Sequence, residues 1–166
     1  NYQFLISNFM DIIPKIIVVC GPTASGKTDL AIHLAQKFNG EVVCADSRTV
    51  YRHMNIGTAK PIRKGQKIHR NKAGIPYYRV KNISHYMLDA VNPNEPYSVA
   101  QFKQNALPVI YDIIKRKKLP FLVGGTGLYI RAIVDNLEFP EMKAYPNLRK
   151  KLEKELVQKG IDHLYR

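Results

Sequence analysis

One eight-residue segment constrains this chain more than any other. Gly21 to Thr28 reads GPTASGKT, a complete G-x-x-x-x-G-K-[ST] pattern. It stands between an apolar, β-branched run, Lys15–Cys20 (KIIVVC), and a helical pattern, TDLAIHLAQKF. Such a turn works where a buried strand feeds straight into a helix, because its backbone N–H groups must collect at the helix N-terminus. Leu30, Ile32, Leu34 and Phe38 give that helix an apolar face, Asn39-Gly40 closes it, and EVVCAD opens a second strand. Strand, turn, helix and strand within about 30 residues make one βαβ unit.

The rest of the chain continues the alternation. HYMLDAV reads as a weak third strand, and Ser98 is placed to cap the helix VAQFKQNALPVIYDIIKRKK, whose last turn is lysine-rich. Pro108 inside that helix predicts a kink or a split. LPFLVGG is a fourth strand, TGLYIRAIVDNL the helix behind it, and LRKKLEKELVQKG a charged amphipathic helix beyond a proline-containing connection. Alternating strands and helices predict an α/β fold, a P-loop NTPase-like parallel sheet flanked by helices. Residues 54–83 are polar and punctuated by Gly and Pro, and read as a long surface loop with a hairpin at YYRV. The expected organisation is an upstream extension at 1–9, with Met10 as the start, and a catalytic core at 10–139 carrying a basic insertion at 62–82. The opening of a helical segment, cut short, follows at 140–166.

Charge and cysteine content narrow the partners and the setting. Against 26 Lys and Arg stand 13 Asp and Glu, a net charge of +13, which points to a polyanion such as nucleic acid. A lysine-rich, solvated surface would give the same balance. Cys20 and Cys44 each close an apolar run, so both are expected as small buried hydrophobes in a reducing cytoplasm, with no disulfide or zinc spacing. The start, FLISNFMDII, is broken by Ser7, Asn8 and Asp11 and reads as neither leader nor membrane span.

In GPTASGKT the amides of Ala24 to Thr28 are expected to converge at the positive end of the helix. Lys27 would reach over the phosphates, and the Thr28 hydroxyl could hold Mg²⁺. Gly21, Pro22, Thr23, Ala24, Ser25, Gly26, Lys27 and Thr28 are thus the candidate diphosphate or nucleotide site. Asp46 follows the second strand at its C-terminal end, where open α/β sheets place their ligands. Position alone leaves two roles open for it, a general base or a carboxylate meeting Mg²⁺ through water.

Four blocks in order carry a resemblance: GPTASGKT, then ADSRTVYRHMNIGTAKP, then HYMLD, then LPFLVGGTGLYI. From about Lys15 onward the chain resembles the bacterial tRNA dimethylallyltransferases. That resemblance implies transfer of a dimethylallyl group from dimethylallyl diphosphate to the exocyclic amine of the adenosine 3′ of the anticodon. The P-loop would then hold an allylic diphosphate, with Mg²⁺ as cofactor and the tRNA anticodon stem-loop as partner, in a cytoplasmic, non-membrane, monomeric enzyme. By resemblance Asp46 is the base, Lys27 and Thr23 serve catalysis, and Asp46, Ser47, Arg48, Thr49, Thr126 and Arg149 meet the tRNA. Thr126 also suits a helix N-cap and Arg149 a solvated helix face. Tyr51 and Tyr129 suit stacking or packing, and His33, His53, His69, His85 and His163 lack ligand spacing and suit surface or core duty.

Three departures from the family pattern stand out. Thr49 occupies a position usually held by Gln, the stretch between Pro61 and His85 is longer, and the family's region beyond Arg166 is missing. Between Asp46 and Asp89 the chain has no carboxylate, while ten Lys and Arg fall there, Lys64, Lys67, Arg70 and Lys72 among them. Phosphates of an RNA would neutralise such a stretch, with Tyr77 and Tyr78 available to stack on a base. Competing readings are an isopentenyltransferase acting on free adenine nucleotides, a P-loop kinase of a small metabolite, and a non-enzymatic RNA-binding remnant.

Overall fold

A computed structural model describes residues 15–63, 65–139 and 145–165. The expected extension at 1–9, the start at Met10, Lys64 and the 140–144 connection lie outside them. The elements are β1 (Ile17–Cys20), α1 (Lys27–Lys37), β2 (Gly40–Cys44), β3 (His69–Arg70), β4 (Pro76–Val80) and β5 (Ile83–Tyr86). They continue with α2 (Val99–Lys115), β6 (Leu119–Gly124), α3 (Gly127–Val134), α4 (Pro146–Lys159) and α5 (Ile161–Leu164).

The strands form one sheet in the order β1-β6-β2-β5-β4-β3. β6 lies parallel between β1 and β2, and β2 is parallel to β5, as βαβ crossovers demand. The sheet is nonetheless mixed, a correction to the parallel expectation, since β4 pairs antiparallel with both β5 and β3. The cause is local. Only Lys81 and Asn82 join β4 to β5, at φ 46° and 67°, and so short a link can only reverse the chain. Part of the expected surface loop, His69–Arg70 and Pro76–Val80, is therefore sheet, with YYRV inside β4 as the hairpin reading required.

β2 is buried along its length, and Phe121 and Leu122 of β6 are closed off beside it. Asn39, at φ 50°, makes the turn after α1, so Gly40 is already the first residue of β2. Cys44 is buried as expected, and burial, followed by the charge of Asp46, pushes its thiol up to about 12. Cys20 is exposed, against expectation. It ends β1, which has a strand on one side only among the described elements, so one flank is uncovered.

Ser98 caps α2 through a full capping box, its Oγ accepting from the Gln101 amide while Gln101 Oε1 accepts from the Ser98 amide. α2 neither splits nor stops at Pro108 but runs unbroken from Val99 to Lys115. The missing backbone bond is outweighed because Ala106, Val109, Ile110 and Ile113 are buried on either side of it.

Opposite the strand C-termini, Glu41 is buried among cations. Arg116 forks onto both its oxygens at 2.8 and 2.6 Å, Lys118 donates at 2.7 Å and Tyr86 Oη at 2.9 Å. Burial acts to raise its pKa, but these donors together hold it below the usual carboxylate range. Asn71 reaches the same cluster through Asp112, which fastens the β3–β4 hairpin to the core.

Candidate functional site

Three segments meet at the C-terminal ends of β1, β2 and β6. The first is the P-loop. Gly26 sits at φ 81° as the N-cap of α1, a conformation glycine adopts without cost, so the helix begins at Lys27. The first-turn amides of α1 then lack intrahelical acceptors and face the loop at the positive end of the helix. The Lys27 ammonium lies back over the same loop, donating to the Pro22 carbonyl and reaching Ser25 Oγ at 3.5 Å. Gly21 through Thr28 are contiguous there, as GPTASGKT predicts.

The second segment follows β2. Asp46 is half-buried, and its Oδ1 accepts from the amides of Arg48 at 2.8 Å and Thr49 at 3.2 Å. This Asx turn fixes the carboxylate on its own backbone through one oxygen and does not engage the other. The third segment follows β6. A Cβ on Gly124 would stand 1.9 Å from the Ala45 carbonyl oxygen, so only glycine lets β6 come this close to the Asp46 segment. Thr126 is the N-cap residue of α3 but makes no side-chain cap. Its Oγ1 accepts from the Ser47 amide at 2.9 Å and donates to Ser47 Oγ at 3.2 Å. It therefore joins the strip after Asp46 to α3 instead of closing its own helix.

One cavity of about 490 Å³ is shared by Thr23–Asp29, Asp46 and Thr49. Thr49 is 6% exposed and lines this cavity, and its buried Oγ1 has no hydrogen-bond partner among the described residues. Ser47 and Arg48 are exposed beside it. Arg149 is not brought to the cavity. It lies on α4, paired at 2.9 Å with Glu153 and 82% exposed. Tyr129 packs, its ring 4.2 Å from that of Phe102.

Sequence reasoning missed two features. His85 is 1% exposed and lines the cavity, with Nε2 unpartnered among the described residues. No spacing signal could reveal this, since it depends on β5 pairing beside β2. Lys60, within GTAKP, is fully buried and bonds Asp89 Oδ1 at 2.5 Å and the Tyr51 carbonyl at 2.7 Å. Tyr78 Oη donates to the other Asp89 oxygen at 2.7 Å, so Tyr78 belongs to the core and is not a stacking platform. Tyr77 is half-buried with its ring stacked 5.4 Å from that of His69. The Asp89 cluster holds the segment bearing Thr58, Ala59 and Pro61 as a wall of the cavity.

A P-loop facing a turn-locked carboxylate across one cavity defines an anion-binding site of the P-loop class. Comparison with known proteins names the family. The IPP transferase family profile matches residues 49–166. The chain is 48% identical over 156 residues to the tRNA dimethylallyltransferase of Caldicellulosiruptor bescii, covering 94% of this chain and 45% of that protein. It is 45% identical over 151 residues to that of Acetivibrio thermocellus, covering 91% and 44%. The crystal structure of the full-length tRNA isopentenylpyrophosphate transferase of Bacillus halodurans is similar with a TM-score of 0.64 at 37% identity, over 90% of this chain and 45% of that one. This chain belongs to the IPP transferase family. It spans less than half the length of the relatives it matches.

Proposed function

We propose that the full-length protein transfers a dimethylallyl group from dimethylallyl diphosphate to the exocyclic amine of the adenosine 3′ of the anticodon in tRNA. The observation that carries this reading is the single cavity joining the P-loop to Asp46. The diphosphate rests on the loop amides and Lys27, with Thr23 beside it. The allylic C–O bond breaks, the carbon bonds to the amine nitrogen, and diphosphate leaves. Charge grows on the leaving oxygen, where Lys27 and the helix N-terminus stabilise it. Asp46 accepts the amine proton through the oxygen that its turn does not engage. Thr49, which lines the same cavity, is the neighbour of Asp46 on the adenine side.

Mg²⁺ fits this donor set. Thr28, half-buried in the first turn of α1, would hold the ion through its hydroxyl, with phosphate oxygens and water as the remaining donors. Such a site needs no cluster of carboxylates, and none of three or more His, Cys, Asp or Glu forms among the described residues. The ion would supply further charge to the leaving diphosphate.

Several relatives are named for acting on tRNA, and one similar structure, at 29% identity and TM-score 0.61, is of a eukaryotic dimethylallyltransferase acting on tRNA. No described helix is long and apolar enough to cross a membrane. Purified full-length protein with labelled dimethylallyl diphosphate should label tRNA and neither AMP nor water. Label on AMP would make it a nucleotide isopentenyltransferase instead, and phosphoryl transfer from ATP would make it a kinase.

The insertion at 62–82 is read as a clamp on the anticodon stem-loop. Two of its neighbourhood's cations are already compensated, Lys60 by Asp89 and Lys81 by Asp29. Arg63, Lys67 and Lys72 are exposed and form no ion pair among the described residues. Changing Lys64, Lys67, Arg70 and Lys72 to Gln should weaken tRNA binding. Its salt dependence should flatten by about 0.9 log–log units for each duplex phosphate left without its cation, or about 0.7 for each on single strand. A fluorescence titration at several salt concentrations measures this, and an unchanged slope would reduce the insertion to a solvated surface.

A further inference from the structure

The β4–β5 hairpin shows a different face to each of two cavities. Val80 and His85 belong to the wall of the P-loop cavity. Tyr77 and Arg79 alternate with Val80 along β4, and in the antiparallel register Arg79 stands opposite Ser84. The Tyr77 and Tyr86 rings lie 5.5 Å apart on that same face. Tyr77, Arg79, Ser84 and Tyr86 together form one wall of a second, open cleft of about 440 Å³. Arg116 and Lys118, just past the end of α2, form the wall across from them.

This cleft is at the end of the sheet away from the P-loop. Glu41, at its base, lies five residues before Asp46, roughly 16 Å at about 3.3 Å per strand residue. Asn71, Tyr77 and Arg79 come from the stretch between Pro61 and His85 that is longer than the family pattern, so the insertion itself builds part of the cleft.

What the cleft offers is hydrogen-bond donors. The Glu41 side chain is 4% exposed, and its two oxygens are taken by Arg116, Lys118 and Tyr86. Asp112 is paired with Arg116 in turn. Two carboxylates thus balance two cations, and Arg79 is left over. It is exposed, and its guanidinium has no partner among the described residues. Lys118 and Arg116, 34% and 28% exposed at their side chains, spend only part of their N–H groups on the two carboxylates. Surplus positive charge and spare N–H groups, with no free carboxylate in the wall, select an acceptor-rich anion. An arginine fork facing a lysine suits the several oxygens of a phosphate.

We propose that this cleft binds one phosphate group, gripped by Arg79 from one wall and Lys118 from the other, at a site separate from the P-loop. Two sources present that chemistry, a backbone phosphate of bound RNA and a small phosphate compound. The RNA source rests on the tRNA reading above, and the site itself does not.

The test uses full-length protein with the P-loop filled by a non-reactive thiolo analogue of dimethylallyl diphosphate, so that added inorganic phosphate reads the cleft. Calorimetry should show phosphate binding in wild type, weakened about tenfold or more by Arg79→Gln and by Lys118→Gln, each of which removes a charge-assisted donor. Arg79 is exposed, and Glu41 keeps Arg116 and Tyr86 when Lys118 is changed, so both variants should melt near wild type. If Lys118→Gln does not fold, Arg79→Gln decides alone. The second arm titrates an anticodon stem-loop RNA at several salt concentrations. With RNA as the source, Arg79→Gln should flatten the salt dependence by about 0.7–0.9 log–log units, one phosphate contact. With a small compound as the source, that slope stays and the phosphate arm alone responds. Wild type that takes up no phosphate, together with an RNA slope that Arg79→Gln leaves unmoved, overturns the proposal. So does phosphate binding that a folded variant leaves unchanged. Absence of prenyl transfer would remove the transfer reading and leave the phosphate arm to decide the cleft.

Discussion

Lys27→Ala in the full-length protein is expected to abolish measurable transfer, a loss of about 10³-fold or more. Removing one preorganised donor from a developing oxyanion typically costs about 2.7–4 kcal/mol, and Lys27 brings a full charge to a leaving group that carries several. The structure explains why the loss should be chemical and not a failure to fold. The ammonium contacts only its own loop, at Pro22 and Ser25, and takes no part in the core. α1 begins at Lys27 because of Gly26, and alanine is the best helix former. Single-turnover transfer beside a thermal melt is the measurement. A melt near wild type with the rate collapsed is the expected result, whereas a rate within tenfold of wild type would remove the P-loop from the reaction.

Asp46→Asn is expected to lower the chemical step by about 10²–10⁴, the usual worth of a positioned base. Asparagine is the informative replacement because of the turn. Its side-chain oxygen can still accept from Arg48 and Thr49, so the segment after β2 keeps its course and Ser47 stays tied to Thr126. What changes is the atom that the turn does not engage, from a carboxylate oxygen that can take a proton to an amide NH₂ that cannot. Binding of dimethylallyl diphosphate should be preserved, and tRNA affinity should fall less than rate. If single-turnover rates hold while Mg²⁺ dependence shifts to much higher concentration, Asp46 serves the metal and the proton goes elsewhere.

The placement of these two residues was legible from sequence because each sits in a turn set by its chain neighbours. The pattern GPTASGKT encodes a local conformation, with φ > 0 at Gly26 to end the loop and a helix to follow. Asp46 could be placed because a strand end is a position along the chain, and its turn reaches only two and three residues onward. Ser98 and Gln101 are of the same kind, a cap and its partner three apart. The βαβ order followed from periodicity for that reason too.

Other outcomes turned on which segments lie side by side. The hydrophobic pattern of YYRV showed a strand, but its antiparallel pairing came from the two-residue link at Lys81-Asn82 and added a reversed edge to the sheet. Pro108 carries a local penalty that the buried face of α2 outweighs. The cysteines have similar apolar runs, yet Cys44 ends a central strand and Cys20 an edge one. Lys60 sits in a stretch without carboxylates and is neutralised by Asp89, 29 residues away. His85 looked like any isolated histidine until β5 came to lie beside β2 and buried it in the cavity wall. The sequence by itself determined the loop, the carboxylate and the order of elements, because those depend on backbone conformation within a few residues. Only the tertiary structure decided which polar groups are buried and what pairs with them, because burial and pairing are set by neighbours that the chain brings in from a distance.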